Sequence, residues 1–501
     1  MTFLPNYNFT YNLWRAMKKR EEFSSRLGLI LAAMGMAVGA GNIWRFPRMV
    51  AQNGGSAFLI PWIIFLFLWS IPLLMVEFTM GKTARMGTIG AFGKFMGKKY
   101  AWMGAFVGFC TMGIMFYYSV VTGWSLHYFV KASLGQLNQV VPGTYWNHFT
   151  TSPLPLFDHL IAISVAGWIV LQGVTGGIER ANKLLIPSLF ILVVIASIRA
   201  VTLPGAAEGL NYLFNPDFSK LIDFRVWLEA LSQSAWSTGA GWGLILTYGV
   251  YLKKNEDVVL NSFVTGLGNN SASLFAALAI IPTVFALFPL ATALNAMKSG
   301  NTGLTFIYIP KLFEKMPAGN FFAALFFLAL TFAALSSLIS MVELATRLFM
   351  DMGLNRKKAI RIVWVVTLFL GAPSALSLKF FNNQDWTWGI GLLISGFFLS
   401  LAVIKFGVSH FREDLLNSKD SDIQVGKWFE YIVRFVIPLE FAAMLIWWFY
   451  QSITTYDPRG WWNPFHTYSL GTCLLQWGVV LVFFIGFNKW LVRWTLEREG
   501  V

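Results

Sequence analysis

Long apolar stretches with few charged residues recur along the whole chain, and each is close to the ~20 residues that an α-helix needs to cross a bilayer. By this criterion we count about twelve predicted spans, at residues 26–50, 55–81, 101–130, 157–175, 184–202, 226–252, 258–287, 320–349, 359–377, 386–409, 429–451 and 467–490. The chain is 56% hydrophobic and only 12% charged, a composition outside the range of soluble domains. The sequence therefore predicts an all-α polytopic membrane protein.

The distribution of Lys and Arg predicts the topology. Basic residues cluster before the first span, after the second and after the eighth, whereas residues 132–156 contain none. The positive-inside rule then places both termini in the cytoplasm of a multi-pass protein of the cell membrane. We attribute the net charge of +14 to the basic residues that set the topology, and we expect no nucleic-acid partner.

Cys110 and Cys473 lie inside predicted spans, which favours buried thiols over a disulfide. No apolar signal-peptide core precedes residue 26, so we expect the first span to direct insertion.

Two predicted spans are interrupted by glycine. Residues 35–47 of the first read GMAVGAGNIWRFP, and residues 237–243 of the sixth read STGAGWG. Breaks that lie five spans apart predict a repeat of five helices, and an odd number of helices makes the second copy enter the membrane inverted. We therefore expect one transporter domain over residues 1–501, with inverted repeats at about 26–202 and 226–409 and two further helices at about 429–490.

A broken helix exposes carbonyl groups at one end and N–H groups at the other, so a cation and a carboxylate can be bound side by side. In the first break, the carbonyls of Gly35, Ala37 and Val38 and the side chain of Asn42 offer the oxygen ligands that hard cations prefer. A single glycine in a span more often serves close helix packing. Two glycine-dense breaks in corresponding positions favour a binding site instead.

These residues carry a family resemblance. GMAVGAGNIWRFP and the following NGGSAFLIPW at 53–62 resemble the signature of the neurotransmitter:sodium symporter family, and most of all its prokaryotic amino-acid transporters. The likeness runs from about Arg20 to Asp385 and includes GIERANKLLIP at 177–187 and FAALSSLIS at 332–340. The last two predicted spans add little to it.

The resemblance implies two sodium sites. The first would use the carbonyl of Ala37 with Asn42, Ser237 and Asn269, and the substrate carboxylate would complete it. The second would use the carbonyls of Gly35, Val38 and Ala333 with the hydroxyls of Ser336 and Ser337. From the residues alone, adjacent serines in a span more often bond back to their own helix.

The resemblance also implies the substrate site. The carboxylate would meet Tyr118, N–H groups of the first break around Gly41, and a sodium ion. The implied lining is Met36, Ala37, Gly39, Gly41, Ile114, Tyr118, Trp236, Ser237, Gly239, Trp242, Ser337 and Met341. Amine-transporting relatives have an Asp at the position of Gly39, so glycine here indicates an amino acid, which brings its own carboxylate. Trp236 and Trp242 are bulkier than usual and Gly239 is smaller, which leaves the size preference open.

Ionisable residues near the membrane ends of the spans are candidate gates. The resemblance assigns Arg45 and Asp385, with Trp236 and Tyr118 as an aromatic lid, to the outer gate. It assigns Arg20 and Asp351, with Tyr251, to the inner gate. A solvated surface ion pair is the alternative for the inner pair.

Three further residues match structural positions of the family. Glu77 would accept hydrogen bonds from the unwound part of span six. Gly177 and Pro187 would let span five open at its cytoplasmic end, although a proline kink that only shapes the bundle is equally compatible with the sequence.

Chloride is the remaining ion to consider. Ser273 stands where some prokaryotic relatives have a Glu and chloride-dependent relatives have Ser, so a chloride near Gln233, Ser237, Asn269 and Ser273 would supply the missing negative charge. A tyrosine that usually completes that site is Trp62 here, which leaves a chloride requirement open.

The sequence thus predicts a non-enzymatic, sodium-coupled symporter of a neutral or hydrophobic amino acid that works by alternating access. A sodium-independent or proton-coupled exchanger of the same fold, a channel and a non-transporting sensor are the alternatives. No HExxH or GxSxG motif supports an enzyme. The sequence leaves the oligomeric state open.

Overall fold

The computed structural model describes residues 21–417 and 421–499, and helix is the only regular secondary structure in this part of the chain. We number the principal helices α1 to α15. They are α1 Arg26–Ala37, α2 Gly41–Gln52, α3 Ser56–Ala84, α4 Lys98–Ser133, α5 Leu154–Leu171, α6 Val174–Val201, α7 Phe224–Ser237, α8 Leu244–Gly249, α9 Val258–Leu287, α10 Gly319–Asp351, α11 Arg356–Leu376, α12 Leu378–Phe406, α13 Trp428–Tyr456, α14 Leu470–Gly486 and α15 Asn488–Thr495. Shorter helices, among them Thr88–Met96 and Pro142–Thr150, lie between them.

The helices agree with an all-α membrane protein. Within the described residues, nine helices are long and apolar enough to cross a bilayer on their own, and two bent pairs, α1 with α2 (51°) and α14 with α15 (60°), raise the number to as many as eleven. The predicted sixth span corresponds to α7 and α8, which are 14 and 6 residues long and too short singly. Each of the twelve predicted stretches thus coincides with a helix or a helix pair, whereas the inverted relation of the two halves stays a prediction.

The centre of the bundle is formed by α4 and α10, which pack along each other and around which the broken helices are arranged. Small residues on both helices, such as Gly104, Gly108, Ala333 and Ala334, are buried. A Cβ atom on Gly108 would lie 2.7 Å from Leu348 Cδ1 of α10, so glycine lets this side chain pack against α4. Polar side chains cap several helices: Ser25 Oγ accepts from the backbone N–H of Gly28 at the start of α1, and Asp257 accepts from Leu260 N at the start of α9.

Two helix starts lie well before the predicted ones. Span five was expected from residue 184, but α6 begins at Val174; the charged residues Glu179, Arg180 and Lys183 lower the hydropathy of this turn without preventing helix formation. Span ten was expected from residue 386, but α12 begins at Leu378, where the Ser377 hydroxyl accepts from Phe380 N. Asp385 therefore lies within α12 and not at its first residue.

Candidate functional site

The first span is broken between α1 and α2. α1 ends at Ala37, Val38 leaves helical geometry (φ −81°, ψ 88°), and a π-helical turn over Gly41–Arg45 opens α2. Such turns inside membrane helices leave backbone groups available for other partners. Gly39 N donates to Asn42 Oδ1 at 2.9 Å, which holds the loop in place.

The second break separates α7 and α8. Gly239, Gly241 and Gly243 all have positive φ (65°, 93° and 77°), a conformation that other residues rarely adopt. The carboxylate of Glu77 on α3 is fully buried and accepts from Gly241 N (2.6 Å) and Leu246 N (3.1 Å). Glu77 thus binds two of the N–H groups that the unwound segment exposes, at the place where the sequence predicted such a contact.

A cavity of about 30 Å³ lies between the two breaks. All but one of the predicted substrate-binding residues line it: Met36, Ala37, Gly39, Gly41, Tyr118, Trp236, Ser237, Gly239, Trp242, Ser337 and Met341. The exception is Ile114, which is completely buried on α4 but does not reach the cavity. Asn42 and Leu244 also line it, and of these Leu244 was not foreseen. The cavity is therefore built from the breaks, α4 and α10.

Tyr118 and Ser337 flank the backbone at Gly39. A Cβ atom on residue 39 would lie 2.8 Å from Ser337 Oγ and 2.9 Å from the Tyr118 hydroxyl. Ala40 N donates to the Tyr118 hydroxyl at 2.9 Å. The hydroxyl keeps its own proton, so Tyr118 can still donate to an acidic group in the cavity.

The side-chain amide of Asn269 on α9 has contacts that no assignment of its oxygen and nitrogen can satisfy with hydrogen bonds alone. One terminal atom of its amide is 3.1 Å from the Ala37 carbonyl oxygen, 2.9 Å from the Ser237 carbonyl oxygen and 2.7 Å from Asn42 Nδ2. If that atom is oxygen, it accepts from Asn42 but faces two carbonyl oxygens. If it is nitrogen, it donates to both carbonyls but faces the amide nitrogen of Asn42.

Rotating the Asn42 amide does not remove this conflict, because its oxygen already accepts from the backbone N–H of Gly39. A cation between the three oxygens removes it. The oxygens of Ala37, Ser237 and Asn269 then become ligands, and Asn42 keeps both of its contacts. Three of the four residues assigned to the first sodium site, Ala37, Ser237 and Asn269, thus offer oxygens of the kind that a small hard cation needs, whereas the Asn42 oxygen already accepts from Gly39 N.

The residues assigned to the second sodium site lie where α10 meets the end of α1. Ser337 Oγ is 3.3 Å from the Gly35 carbonyl oxygen and 3.2 Å from that of Met36. Ser336 Oγ bonds back to the Ala333 carbonyl oxygen at 3.0 Å, as expected for a serine in a span. Ser336, Ser337 and Val38 are all buried. Of the assigned groups, the Ser337 hydroxyl and the Gly35 carbonyl are the two that meet across the two helices.

A second cavity, of about 150 Å³, lies on the other side of Trp236 and Tyr118, which line both cavities. Arg45 and Asp385 also line it. No ion pair joins these two side chains among the described residues; Arg45 Nη2 donates to Ser232 Oγ at 3.2 Å, and its Nη1 is buried without a partner. The two predicted outer-gate residues thus face one cavity but do not touch.

At the opposite end, charged side chains are closely paired. Asp351 forms an ion pair with Arg347 (2.6 Å) and accepts from Gly87 N (2.6 Å). Its predicted partner Arg20 lies outside the described residues. Tyr251 donates to Glu343 on α10, and Arg356 contacts the same carboxylate at 2.6 and 3.1 Å. The sequence analysis did not foresee Glu343 and Arg356, although an acidic residue inside a predicted span is itself an indication of function.

Two residues at positions that the resemblance assigns to a chloride site have buried side-chain groups without partners among the described residues. Gln233 is fully buried, and neither its amide oxygen nor its amide nitrogen has a hydrogen-bond partner among the described residues. The indole N–H of Trp62 is also buried and unpaired. Ser273 Oγ accepts from Asn42 Nδ2 at 2.8 Å, which connects Ser273 to the first break. The unpaired donors of Gln233 and Trp62 are available to an anion.

Gly177 and Pro187 both lie on α6. Gly177 belongs to a π-helical turn, Val174–Glu179, and a Cβ atom there would lie 1.9 Å from the Ile169 carbonyl oxygen at the end of α5. Pro187 lies further along within the helix. α6 thus begins with a π-helical turn and contains a proline, while its opening at this end stays a prediction.

The chain matches known proteins over nearly its whole length. The model of the sodium:neurotransmitter symporter family matches residues 20–153 and 153–493. An uncharacterized sodium-dependent transporter of Methanocaldococcus jannaschii is 33% identical over 85% of this chain and 90% of its own length. One of Haemophilus influenzae is 32% identical over 86% and 98%. The crystal structure of MhsT in complex with L-phenylalanine has a TM-score of 0.76 and 32% identity, and the match covers 85% of this chain and 99% of that one.

Proposed function

The chain belongs to the sodium:neurotransmitter symporter family, and from this premise we propose that it carries a neutral or hydrophobic amino acid together with Na⁺ into the cytoplasm by alternating access. Sodium-dependent transport is common to its prokaryotic relatives. The amino-acid substrate, the two sodium sites and the direction of transport are our proposal.

One observation carries the proposal: the oxygens of Ala37, Ser237 and Asn269 converge beside a cavity that Gly39 and Tyr118 line. A cation among these oxygens and a carboxylate at the Tyr118 hydroxyl would neutralise each other in a water-poor place. Gly39 brings no charge of its own, so the carboxylate has to come from the ligand. An α-amino acid fits this demand, and MhsT has been solved with L-phenylalanine.

A second sodium ion is supported by the approach of Ser337 to the carbonyls of α1. An ion at this point would tie α1 to α10 and so couple the conformation of the first break to ion binding. Its release would free α1 to move when the cytoplasmic side opens.

Chloride is supported by the unpaired, buried donors of Trp62 and Gln233. We propose that an anion binds beside Ser273, with the Trp62 indole N–H in the role that a tyrosine hydroxyl has elsewhere in the family. A GABA transporter of Drosophila melanogaster, 28% identical over 72% of this chain, is sodium- and chloride-dependent. Replacing chloride with gluconate in the assay below should then reduce uptake.

Uptake into proteoliposomes tests the proposal. The purified chain is reconstituted, and each of the twenty amino acids is offered with an inward Na⁺ gradient or with choline in its place. We expect one or a few neutral amino acids to accumulate with Na⁺ and not with choline. Equal uptake in choline would support sodium-independent exchange, and Na⁺-dependent binding without uptake would support a sensor. Currents far beyond transporter turnover would indicate a channel.

A further inference from the structure

Asn182 on α6 is a buried polar residue that no proposed role yet explains. Its side chain has no exposed surface. The amide nitrogen donates to the Ile178 carbonyl oxygen one turn back, at 2.9 Å, whereas the amide oxygen has no hydrogen-bond partner among the described residues. A buried acceptor without a partner is uncommon and calls for a ligand or a functional reason.

The free oxygen of Asn182 points at the second proposed sodium site. A Cβ atom on Gly35 would lie 1.9 Å from Asn182 Oδ1 and 3.2 Å from Ser336 Cβ. The amide oxygen thus occupies the space that a side chain at position 35 would fill, next to Ser336 of α10. Gly35 and Ser336 are both assigned to that sodium site, so three helices meet at this point.

A second oxygen of α6 repeats the arrangement nearer the cytoplasmic end. A Cβ atom on Gly28 would lie 2.0 Å from Glu179 Oε1. Glu179 and Asn182 are three residues apart on one face of α6, and Gly28 and Gly35 are seven apart on one face of α1. Two glycines of α1 therefore each receive one side-chain oxygen of α6.

The two oxygens differ in their partners. Glu179 accepts from Ser24 N (2.7 Å), Ser24 Oγ (2.5 Å), Ser25 Oγ (3.1 Å) and Lys183 Nζ (2.7 Å). The Lys183 side chain is 42% exposed, so the buried Glu179 carboxylate is connected to solvent through Lys183. Asn182, further inside, has no donor to its oxygen. A cation leaving the second site toward Glu179 would pass Asn182 first.

We propose that the side-chain oxygen of Asn182 binds Na⁺ at the cytoplasmic side of the second sodium site and receives the ion as it leaves between α1 and α6. The inference rests on the proposed sodium-coupled function. A neutral amide oxygen suits this position, because it satisfies an ion without holding it as strongly as a carboxylate would.

Sodium binding without transport tests the proposal. The purified protein is titrated with NaCl at constant ionic strength in choline chloride, without amino acid, and thermal stability and tryptophan fluorescence report the apparent sodium affinity. We expect Asn182→Ala to weaken that affinity about tenfold, as loss of a group next to a metal ligand commonly does. Asn182→Asp keeps an oxygen in place and should bind Na⁺ at least as tightly as the unmodified protein.

Asn261 on α9 supplies a matched control. It is 1% exposed, its amide nitrogen also bonds to the carbonyl four residues back, and its amide oxygen is also unpaired, but it does not line the breaks. Asn261→Ala should therefore leave the sodium affinity unchanged. If Asn182→Ala does not fold, Asn182→Leu, which has similar volume and no oxygen, takes its place.

Three results would overturn the role of Asn182: an unchanged affinity in Asn182→Ala, an equal loss in Asn261→Ala, or an equal loss in Asn182→Asp. The last would indicate that the hydrogen bond from the amide nitrogen to the Ile178 carbonyl, which both variants lose, determines the affinity. A lack of any sodium response in the unmodified protein would instead contradict the proposed function, so the two failures are distinguishable.

Discussion

Tyr118 has a hydroxyl that is positioned by the backbone of the first break and still free to donate. Ala40 N occupies one acceptor position at 2.9 Å, and Tyr118 lines the cavity in which a substrate carboxylate is proposed. Hydrogen bonds to charged groups contribute about 1.5–3 kcal/mol, so Tyr118→Phe should weaken amino-acid binding roughly ten- to hundredfold. Equilibrium binding of the transported amino acid in saturating Na⁺ measures the change.

Tyr128 on the same helix is the control for this substitution. It is 1% exposed, and its hydroxyl has no partner among the described residues. Tyr128→Phe removes the same atom away from the cavity and should leave the affinity as it is. Equal affinities in both variants would contradict a carboxylate contact at Tyr118.

Gly39 permits a test of where the ligand's negative charge lies. An aspartate at this position would push against Ser337 and Tyr118, at 2.8 and 2.9 Å from its Cβ, and would add a second carboxylate beside the first. Like charges brought together cost several kcal/mol, so Gly39→Asp should weaken amino-acid binding by more than about a hundredfold. Gly39→Ala adds the Cβ alone and should lose less. Equally weak binding in Gly39→Asp and Gly39→Ala would show that the added Cβ atom, and not the added charge, lowers the affinity.

Sequence motifs predicted most of the cavity residues, because each belongs to one of a few short, glycine-rich segments. Residues whose role depends on partners distant in sequence were missed. Arg356 pairs with Glu343 on the preceding helix, 13 residues earlier, and the buried indole N–H of Trp62 lacks a partner among the described residues. No periodicity or spacing indicates such contacts, which become visible only in three dimensions.

Among the elements, α3 supports the broken pair α7 and α8 through Glu77. Glu77→Gln would replace one accepting oxygen with an N–H₂ group that faces a backbone donor, at Gly241 or Leu246. A buried donor left without an acceptor costs about 1–3 kcal/mol. We therefore expect a lower thermal unfolding midpoint in detergent and reduced uptake.

Thr79 lies two residues after Glu77 on α3. Its substitution is the control for changing any buried polar side chain of this helix. Its hydroxyl is buried without a partner, so Thr79→Val should leave the midpoint nearly unchanged. A Glu77→Gln variant as stable as Thr79→Val would contradict the supporting role of the carboxylate.

Arg356 joins the ends of α10 and α11 that the sequence predicts to be cytoplasmic. Its guanidinium contacts Glu343 and Glu21 and also donates to the Val170 carbonyl oxygen at 3.2 Å. Removing one partner of a buried ion pair costs about 3–5 kcal/mol. Arg356→Ala should therefore favour opening on this side, which hydrogen–deuterium exchange would detect as faster exchange in residues 21–37 and 249–252.

Arg361, on the same helix but exposed, provides the control of equal charge. Arg361→Ala should leave exchange in both segments unaltered. If the two variants exchange alike, the Arg356 contacts do not close the cytoplasmic side.

The existence of helices was easier to predict than their ends. Apolar length alone located every span, but the starts of α6 and α12 lie ten and eight residues before the predicted positions. Charged residues such as Glu179 and Asp385 looked like span boundaries by hydropathy, yet both lie within helices, where Glu179 is buried against protein and Asp385 lines a cavity. Hydropathy measures transfer to lipid and carries no information about a buried polar partner.

The two ends of the molecule differ in whether their charged residues are paired. On the side of Arg45 and Asp385 a cavity of about 150 Å³ separates charged residues that do not touch. On the side of Glu343 and Asp351 the charged groups are paired. The structure therefore corresponds to a state in which the side of Arg45 and Asp385, which the sequence predicts to be the outer side, is the more open. The proposed alternating access would require this asymmetry to reverse.

A cysteine at position 235 would report whether the cavity of about 150 Å³, here called the outer cavity, is open or closed. Ala235 lines the outer cavity, and the two native cysteines are 0% and 1% exposed, so an Ala235→Cys thiol would be the principal reactive one. In intact cells without Na⁺, a membrane-impermeant maleimide should label it. Na⁺ together with the transported amino acid should protect it, because closure of Arg45 toward Asp385 would seal the cavity.

Gln139→Cys is the matched control for topology and for reagent access. Gln139 is exposed in the loop between α4 and α5, which contains no Lys or Arg between residues 132 and 156 and is predicted to be extracellular. It should be labelled equally with and without ligand. Failure to label Gln139→Cys from outside would contradict the predicted orientation. Labelling of Ala235→Cys that ignores Na⁺ and amino acid would mean that the outer cavity does not close during transport.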